Sequence, residues 1–325
     1  MTAIITTDLH LNDSVRDAHR FDLFPWLANQ AQEHKANQIF ILGDLTDAKD
    51  HHPAALVNKI VGALVKLRND SRAAIVILRG NHDCVDPTTP FFGFLRHLAG
   101  LVWVTDKMID RKTLYIANRR SPEDWPRLDL DYAFVHQTFT GAIAENGYPL
   151  TGFPSSLVKD VRKRVYSGDV HVPQDLGNIT YVGAPYRIKF GDKFTPRVLI
   201  LDDKSKHHDL HFPTKQRALI ECEGSKNFPR LIRGLVAGDQ IKVRVSQTRA
   251  ELVDWAATRK AIMDLADKAE LEVCGISAIL GDETTGDGAI ELAEDLSPQA
   301  VFDDYSDRER VAPVVRQTGK KIMEE

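Results

Sequence analysis

The chain has 325 residues, of which 43% are hydrophobic, and a formal net charge of −4. A chain of this length predicts one large domain with a smaller one, and its charge argues against binding nucleic acid by bulk charge alone. No apolar run reaches the about 18 residues that a membrane helix needs, and the first residues lack a signal-peptide pattern. Its three cysteines, in no paired motif, exclude a disulfide framework and favour a reducing, cytoplasmic location.

The first third of the chain alternates strand-like and helix-like segments. Apolar runs predict strands at residues 3–8, 38–44 and 74–80. The segments between them, 21–34 and 53–67, repeat their apolar residues at helical spacing. Strands that are apolar throughout and separated by helices predict a sheet covered on both faces.

Six further strand-like segments follow with few helices between them, and they predict a second sheet. They read VWVTD, TLYIAN, YAFVHQ, RVYSGDVH, ITYVGAP and RVLILDD. The predicted fold class is therefore α/β, with a two-sheet β-sandwich flanked by helices over residues 1–205.

The pattern changes after Lys206. Three strand-like segments interleave with two helical ones and predict a small α+β capping domain over residues 206–282. Residues 283–325 are predicted to form a linker followed by a C-terminal helical tail, because 281–289 have the composition of a linker.

Polar side chains gather where the predicted strands end. The residues are Asp8, His10, Asp44, Asn81, His82, His136, Asp169 and His171. Because ligands in open α/β sheets lie beyond the carboxyl ends of the strands, these side chains are expected to converge. Carboxylate and imidazole donors without a thiolate suit manganese, iron or zinc. Apart from His82, seven donors exceed what one ion takes and predict two ions sharing a carboxylate, a site suited to phosphoester hydrolysis.

Each motif alone also has an ordinary explanation. DLH fits a helix cap, GDLTD fits a turn, a lone His136 fits a core histidine, and GDVH fits a hairpin tip. GNHD is harder to explain by packing. The joint occurrence of the motifs, in this order and always at strand ends, favours a two-metal site over these alternatives.

The same motifs resemble those of calcineurin-like metallophosphoesterases, which carry D-x-H, G-D-x-x-D, G-N-H-D/E, a lone His and G-H-x-H. Here they read DLH (8–10), GDLTD (43–47), GNHD (80–83), His136 and GDVH (168–171). Within this superfamily the chain is similar to the SbcD-type nuclease subunit of DNA repair and recombination complexes, through residues 172–192 and 235–245.

The resemblance implies a site for two divalent ions, with Mn²⁺ favoured. One ion would be held by Asp8, His10, Asp44 and His171, and the other by Asp44, Asn81, His136 and Asp169. His82 would act at the scissile phosphate, as a charge stabiliser or as an acid for the leaving oxygen, with Asp83 orienting its ring. A water activated by the ions would be the nucleophile.

Position 169 departs from the family pattern, which has His where this chain has Asp. Two interpretations remain open. Either Asp169 replaces the histidine as a ligand, or it faces solvent and the second metal site is weakened.

The leading hypothesis is a Mn²⁺-dependent DNA exonuclease and endonuclease subunit that acts on double-stranded DNA ends in repair and recombination. Its expected partner is an SbcC-like, SMC-type ATPase, bound through the C-terminal tail, in a compact bacterial or bacteriophage version of the complex. Arg187 and Lys189 are candidates for DNA-backbone contacts. The aromatic segment 90–98 is interpreted as core, whereas the resemblance makes its Phe91, Phe92 and Leu95 candidates for an exposed homodimer face. The alternatives are a phosphodiesterase or phosphatase for another substrate, and a catalytically weak scaffold that binds DNA ends.

Overall fold

The computed structural model describes residues 2–118, 121, 125, 129–280 and 290–291. The chain divides into two compact units, the first Met1–Ile188 with Asp192–Thr214 and the second Lys189–Gly191 with Lys215–Glu325. The predicted C-terminal helical tail lies outside the described residues. None of the described helices is both long and apolar enough to cross a membrane.

The described residues form sixteen strands, four α-helices and four 3₁₀ helices. The strands are β1 Ala3–Thr6, β2 Gln38–Ile41, β3 Ala74–Leu78, β4 Leu101–Val104, β5 Lys107–Asp110, β6 Thr113–Ile116, β7 Leu130–His136, β8 Val161–Gly168, β9 Gln174–Leu176, β10 Ile179–Tyr181, β11 Val198–Leu201, β12 His207–Leu210, β13 Arg217–Cys222, β14 Gln240–Gln247, β15 Glu272–Leu280 and β16 Ile290–Glu291. The α-helices are α1 Leu23–Glu33, α2 Ala54–Ser71, α3 Phe228–Leu231 and α4 Trp255–Lys268. The 3₁₀ helices are Val15–Asp22, Phe91–His97, Ser155–Val158 and Glu251–Asp254.

The first sheet has the strand order β12-β11-β1-β2-β3-β4. β1 to β4 run parallel, and β11 is antiparallel to β1. One face is covered by α1 and α2, where Ile4 and Ile39 of the sheet share a buried cluster with Leu27 and Leu64 of the helices. β4 and β11 belong to this sheet and not to the second one predicted for them, because they pair with β3 and β1.

The second sheet has the strand order β5-β6-β7-β8-β10-β9, with β6, β7, β8 and β10 parallel. Phe134 and Tyr166 lie on the face toward the first sheet, where Phe134 stacks on Phe40 with ring centroids 4.2 Å apart. Val135 and Val165, which are adjacent to Phe134 and Tyr166 in these strands, are buried on the opposite face. Because successive residues of a strand alternate between faces, this pattern confirms the predicted two-sheet α/β sandwich.

The second unit contains the third sheet, with the order β13-β14-β15-β16 and with β13 to β15 parallel. Ile262 and Ala266 of α4 share a buried cluster with Ile241 and Ile276 of the sheet. The main part of this unit begins at Lys215 and not at the predicted residue 206, because β12 pairs with β11 and the first unit therefore extends to Thr214.

The segment Phe91–His97 forms a 3₁₀ helix that turns two of the predicted interface residues inward. Residues three apart share a face in such a helix. Phe92 and Leu95 are accordingly buried, which confirms the interpretation of this segment as core and shows that the exposure implied for them by the family resemblance is wrong. Phe94 is instead the aromatic residue of this helix that reaches the surface, with 39% of its area exposed.

Candidate metal centre

The loops that follow β1 and β2 run side by side beyond the sheet. The backbone N–H of Asp8 donates to Gly43 O, and that of His10 donates to Asp44 O, both at 3.0 Å. These bonds continue the parallel pairing of the two strands past their ends. Backbone pairing therefore brings Asp8, His10 and Asp44 together.

Four of the predicted ligands have left-handed backbone conformations. The φ angle is +53° at Asp8, +43° at His10, +51° at Asp44 and +75° at Asp169. Such a conformation costs an L-residue roughly 1–2 kcal/mol, and residues that adopt it gather at functional sites. The sharp bend at each strand end turns these side chains toward one another.

The first cluster contains Asp8, His10 and His171, whose ligand atoms all lie within 4.8 Å of one another. Nε2 of His10 lies 3.1 Å from Nε2 of His171. On the other side of each ring, Nδ1 lies 2.7 Å from a carboxylate oxygen, that of Asp47 for His10 and that of Glu145 for His171. Because an ionised carboxylate only accepts hydrogen bonds, Nδ1 of His10 carries the proton and its Nε2 keeps a lone pair for a metal, while the Glu145 carboxylate lies in ion-pair contact with the His171 ring.

The second cluster is built around His136 at the end of β7, together with Asp8 and Asp44. Nε2 of His136 lies 2.8 Å from Oδ1 of Asn81, 3.4 Å from Oδ1 of Asp44 and 3.7 Å from Oδ1 of Asp169. Nδ1 of the same ring donates to a backbone carbonyl of the first sheet. Three acceptor oxygens therefore converge on Nε2, an arrangement that suits a shared cation.

Asp44 lies between the two clusters. Its Oδ2 is 3.7 Å from Nε2 of His10, and its Oδ1 is 3.4 Å from Nε2 of His136. One carboxylate thus presents an oxygen to each cluster, which is the geometry of a bridging ligand. Asp8 also belongs to both clusters, so the structure adds a second shared carboxylate.

The carboxylate of Asp169 lies inside the second cluster. Its Oδ2 accepts a hydrogen bond of 2.6 Å from the hydroxyl of Thr138, and its Oδ1 faces Nε2 of His136. The side chain is only 18% exposed. This position fits the interpretation of Asp169 as an exchanged ligand and does not fit a carboxylate that faces solvent.

The electrostatics of the two clusters favour added positive charge. Asp8 is fully buried, its Oδ2 has no hydrogen-bond partner among the described residues, and burial raises its pKa. Burial lowers the pKa of His136, but the carboxylates of Asp44, Asp169 and Asp8 outweigh it and raise that pKa to about 9. A buried orphan oxygen beside free imidazole nitrogens is the donor set of a divalent metal site, so the residues fit two such ions.

A comparison with protein families gives the same result. A family model described as Calcineurin-like phosphoesterase matches residues 1–183 of the chain. The chain belongs to this family. The matched residues of the phosphoesterase include every ligand candidate of both clusters, and membership implies a metal-dependent hydrolase. The chain matches no curated protein.

In this phosphoesterase His82 lies at the edge of the first cluster. Its ring centroid is 5.0 Å from that of His10, in an edge-to-face arrangement. Nδ1 of His82 donates to the backbone oxygen of Asp47 at 3.1 Å, because a carbonyl only accepts. Nε2 is therefore the atom of this ring that can exchange a proton with a bound phosphoester.

Asp83 is fully buried and joins the backbones of two motif loops. Its carboxylate accepts hydrogen bonds from the N–H groups of Asp44 at 2.9 Å, Leu45 at 2.8 Å and Gly80 at 2.7 Å. Burial and the nearby Asp44 charge raise the pKa of Asp83 to about 6, although these hydrogen bonds lower it. The structure thus gives Asp83 a different role from the predicted one of orienting the His82 ring, because backbone amides occupy both of its oxygens.

The two candidates for DNA contacts fall in different units of the chain. Arg187 is partly buried in the first unit, and Lys189 is exposed in the second. Next to Lys189, the ring of Phe190 lies 5.1 Å from the guanidinium carbon of Arg217 and 5.6 Å from Nζ of Lys242. Three cationic residues of the second unit therefore gather at this loop.

Two partners of the ligand histidines, Asp47 and Glu145, are absent from the predicted site. Asp47 belongs to the GDLTD motif, so its position in that motif is a signal that could have found it. Glu145 lies in the irregular segment between β7 and β8, where no local pattern marks it. Its contact with His171 depends on the tertiary fold alone.

The substitution Gly43→Ala is expected to destabilise the fold by roughly 1–3 kcal/mol, because it overpacks the metal centre. Gly43 has a φ of +103°, and a Cβ there would lie 2.3 Å from Nδ1 of His136. Gly62→Ala is the matched control, since a Cβ at Gly62 in α2 meets nothing within 4 Å. Denaturant unfolding measures both, and equal stability of the two variants would contradict the packing argument.

The substitution Glu145→Gln is expected to lower Mn²⁺ affinity about 10- to 100-fold, the range for loss of a ligand's hydrogen-bond partner. Burial lowers the pKa of His171, but the Glu145 hydrogen bond is the largest of the effects that raise it overall. The uncharged amide keeps the size of the side chain and loses that support. Calorimetric titration with Mn²⁺ measures the change, with the surface variant Glu33→Gln as control. An unaltered Mn²⁺ affinity would show that Glu145 does not support the metal site.

Proposed function

We propose that this phosphoesterase is a Mn²⁺-dependent DNA nuclease subunit that hydrolyses phosphodiester bonds at double-stranded DNA ends, as exonuclease and endonuclease. It works with an SbcC-like ATPase in double-strand-break processing, recombination and repair, and forms a homodimer. The observation that carries the hydrolysis is the placement of Asp44 between two clusters of metal-ligand type. The resemblance of residues 172–192 and 235–245 to SbcD-type nucleases supports DNA as the substrate.

The residues of the centre divide the work of phosphodiester hydrolysis. When two divalent ions are bound, they supply electrophilic stabilisation of the attacking and leaving oxygens. Asp8, His10, Asp44 and His171 would hold one ion, and Asp44, Asn81, His136 and Asp169 would hold the other. Asp47 keeps the imidazole of His10 in the tautomer that binds metal, and Glu145 places a negative charge beside Nδ1 of His171.

His82 supplies proton transfer at the edge of the centre. Its Nδ1 is fixed on the backbone of Asp47, which orients the ring and leaves Nε2 to the substrate. A protonated Nε2 donates to the leaving oxygen as the P–O bond breaks, so the alkoxide does not have to depart as an anion.

The donor atoms support Mn²⁺ as the preferred ion. The first cluster combines two imidazole nitrogens with carboxylate oxygens. The second has one imidazole nitrogen among the oxygens of Asp44, Asn81 and Asp169. Carboxylate and carbonyl oxygens suit Mn²⁺ and Mg²⁺, whereas imidazole suits transition metals, and Mn²⁺ satisfies both.

The second unit supports contact with the DNA backbone. Lys189, Arg217 and Lys242 gather there beside Phe190. Clustered cations neutralise phosphates without reading sequence, which is what an enzyme that acts on ends of any sequence requires.

The test is Mn²⁺-dependent degradation of end-labelled linear duplex DNA by the purified chain, with methyl p-nitrophenyl phosphate as a small phosphodiester run alongside. We expect the parent chain to degrade the DNA. Added chelator and the Asp44→Asn substitution should each abolish this degradation. Hydrolysis of the small ester alone, even after addition of the ATPase, would shift the assignment to another substrate. DNA binding without hydrolysis of either compound would support the scaffold alternative.

A further inference from the structure

Tyr148 is the most exposed aromatic side chain among the described residues, with 70% of its area open to solvent. It lies in the segment between β7 and β8, the same segment that carries Glu145. A single exposed aromatic residue is common at a protein surface, so its exposure alone does not indicate a ligand, and the informative features are how the ring is held and how near the metal centre it lies.

The turn that carries this ring is closed by its own hydrogen bonds. The N–H of Gly147 donates to Ala144 O and the N–H of Ala144 donates to Tyr148 O, both at 2.9 Å. The N–H of Tyr148 donates to Oδ1 of Asn146 at 3.1 Å, and Gly147 supplies the left-handed residue with a φ of +84°. The backbone that presents the ring is thus a defined turn.

The turn is also tied to the body of the sandwich. Ile143 N–H donates to Oε1 of Gln174 at 2.7 Å, and Nε2 of Gln174 donates back to Ile143 O at 2.8 Å. Glu145 Oε1 lies 2.7 Å from Nδ1 of the ligand His171. Because three Cα steps of about 3.8 Å separate Glu145 from Tyr148, their Cα atoms lie no more than about 11 Å apart.

We infer that Tyr148 is a stacking platform for a nucleobase of the substrate strand, next to the phosphodiester held at the metal centre. The ligand class is an unpaired or frayed base, because any base offers a π-face and an aromatic ring binds it without reading sequence. The ordered turn lowers the entropy cost of fixing the ring against a base. This inference rests on the proposed phosphodiesterase function and names the part of the substrate recognised beside the phosphate.

The test compares two substrates that share a p-nitrophenyl leaving group and differ in the nucleoside: thymidine 5′-(p-nitrophenyl phosphate) and methyl p-nitrophenyl phosphate. Tyr148→Ala is expected to raise KM for the nucleoside ester about tenfold. It should leave kcat unchanged, along with hydrolysis of the methyl ester and calorimetric Mn²⁺ affinity. Tyr148→Phe and Tyr148→Trp keep a π-face and should retain the parental KM, whereas Tyr148→Leu should behave as Tyr148→Ala.

Several outcomes would overturn the platform. They are an equal change on both esters, a fall in Mn²⁺ affinity with Tyr148→Ala, or a parental KM in Tyr148→Leu. A loss of affinity for DNA that changes the slope of log KM against log salt would also overturn it, because stacking releases no counterions. If the nucleoside ester shows the expected pattern while DNA is not cleaved, the platform stands and the DNA nuclease function falls. If DNA is cleaved and Tyr148→Ala leaves KM for the nucleoside ester unchanged, the DNA nuclease function stands and the platform falls.

Discussion

Asp44→Asn is expected to reduce hydrolysis of a small phosphodiester by more than about 100-fold, beyond the range typical of lost ligand partners. The amide removes the negative charge from the carboxylate that faces both clusters, whose oxygens lie 3.7 Å from His10 and 3.4 Å from His136. One of the two positions then presents an N–H₂ group, which cannot bind a metal. The substitution therefore weakens both ion sites at once.

Initial rates on methyl p-nitrophenyl phosphate at saturating Mn²⁺ measure this loss. Asp70→Asn is a matched control, since the carboxylate of Asp70 pairs with Lys66 on the surface of α2 and its substitution should leave the rate unchanged. The loss of rate in Asp44→Asn can be compared with that in Glu145→Gln, because the second substitution affects a single ligand of a single cluster. A loss in Asp44→Asn no larger than in Glu145→Gln would show that Asp44 does not bridge.

Asp83→Ala is expected to destabilise the protein by about 3 kcal/mol or more, since each buried amide left without an acceptor costs about 1 kcal/mol at least. The substitution frees three such amides, those of Asp44, Leu45 and Gly80. For a domain of this size the loss corresponds to a fall in Tm of roughly 6–12 °C. Activity should fall as well, because the loops that Asp83 joins carry Asp44 and Asn81.

Calorimetric melting in the presence of chelator measures this effect apart from any change in metal binding. Asp203→Ala removes an exposed turn carboxylate and serves as the control, with an expected Tm close to that of the parent. A parental Tm in Asp83→Ala would mean that the three amides find other acceptors.

The α/β fold and the convergence of the ligand residues could be predicted from the sequence because both are encoded locally. Strands buried on both faces, such as β2 and β3, are continuous apolar runs, and the ligands follow directly at their ends. Parallel strands that share a sheet bring those ends to the same edge. Few other arrangements of such a chain are possible.

Other features depend on contacts between distant residues and leave no local pattern. β4 and β11 are short apolar strands, as β6 of the second sheet is, and only their pairing places them in the first. Glu145 reaches His171 from an irregular segment, and Asp83 has its role through three amides on two loops. In each case the sequence shows the residue and the tertiary structure determines its partner.

The paired loops beyond β1 and β2 have a consequence for hydrogen exchange. The amide hydrogens of Asp8, His10 and Leu11 lie outside any strand, yet each is bonded to a carbonyl of the neighbouring loop at 3.0 Å. Amides held in this way exchange with solvent only when the structure around them opens, so they should be protected like those of the central strands. We therefore expect two of the ligands, Asp8 and His10, to belong to the most slowly exchanging part of the described residues and to keep their backbone positions when metal is lost and bound again.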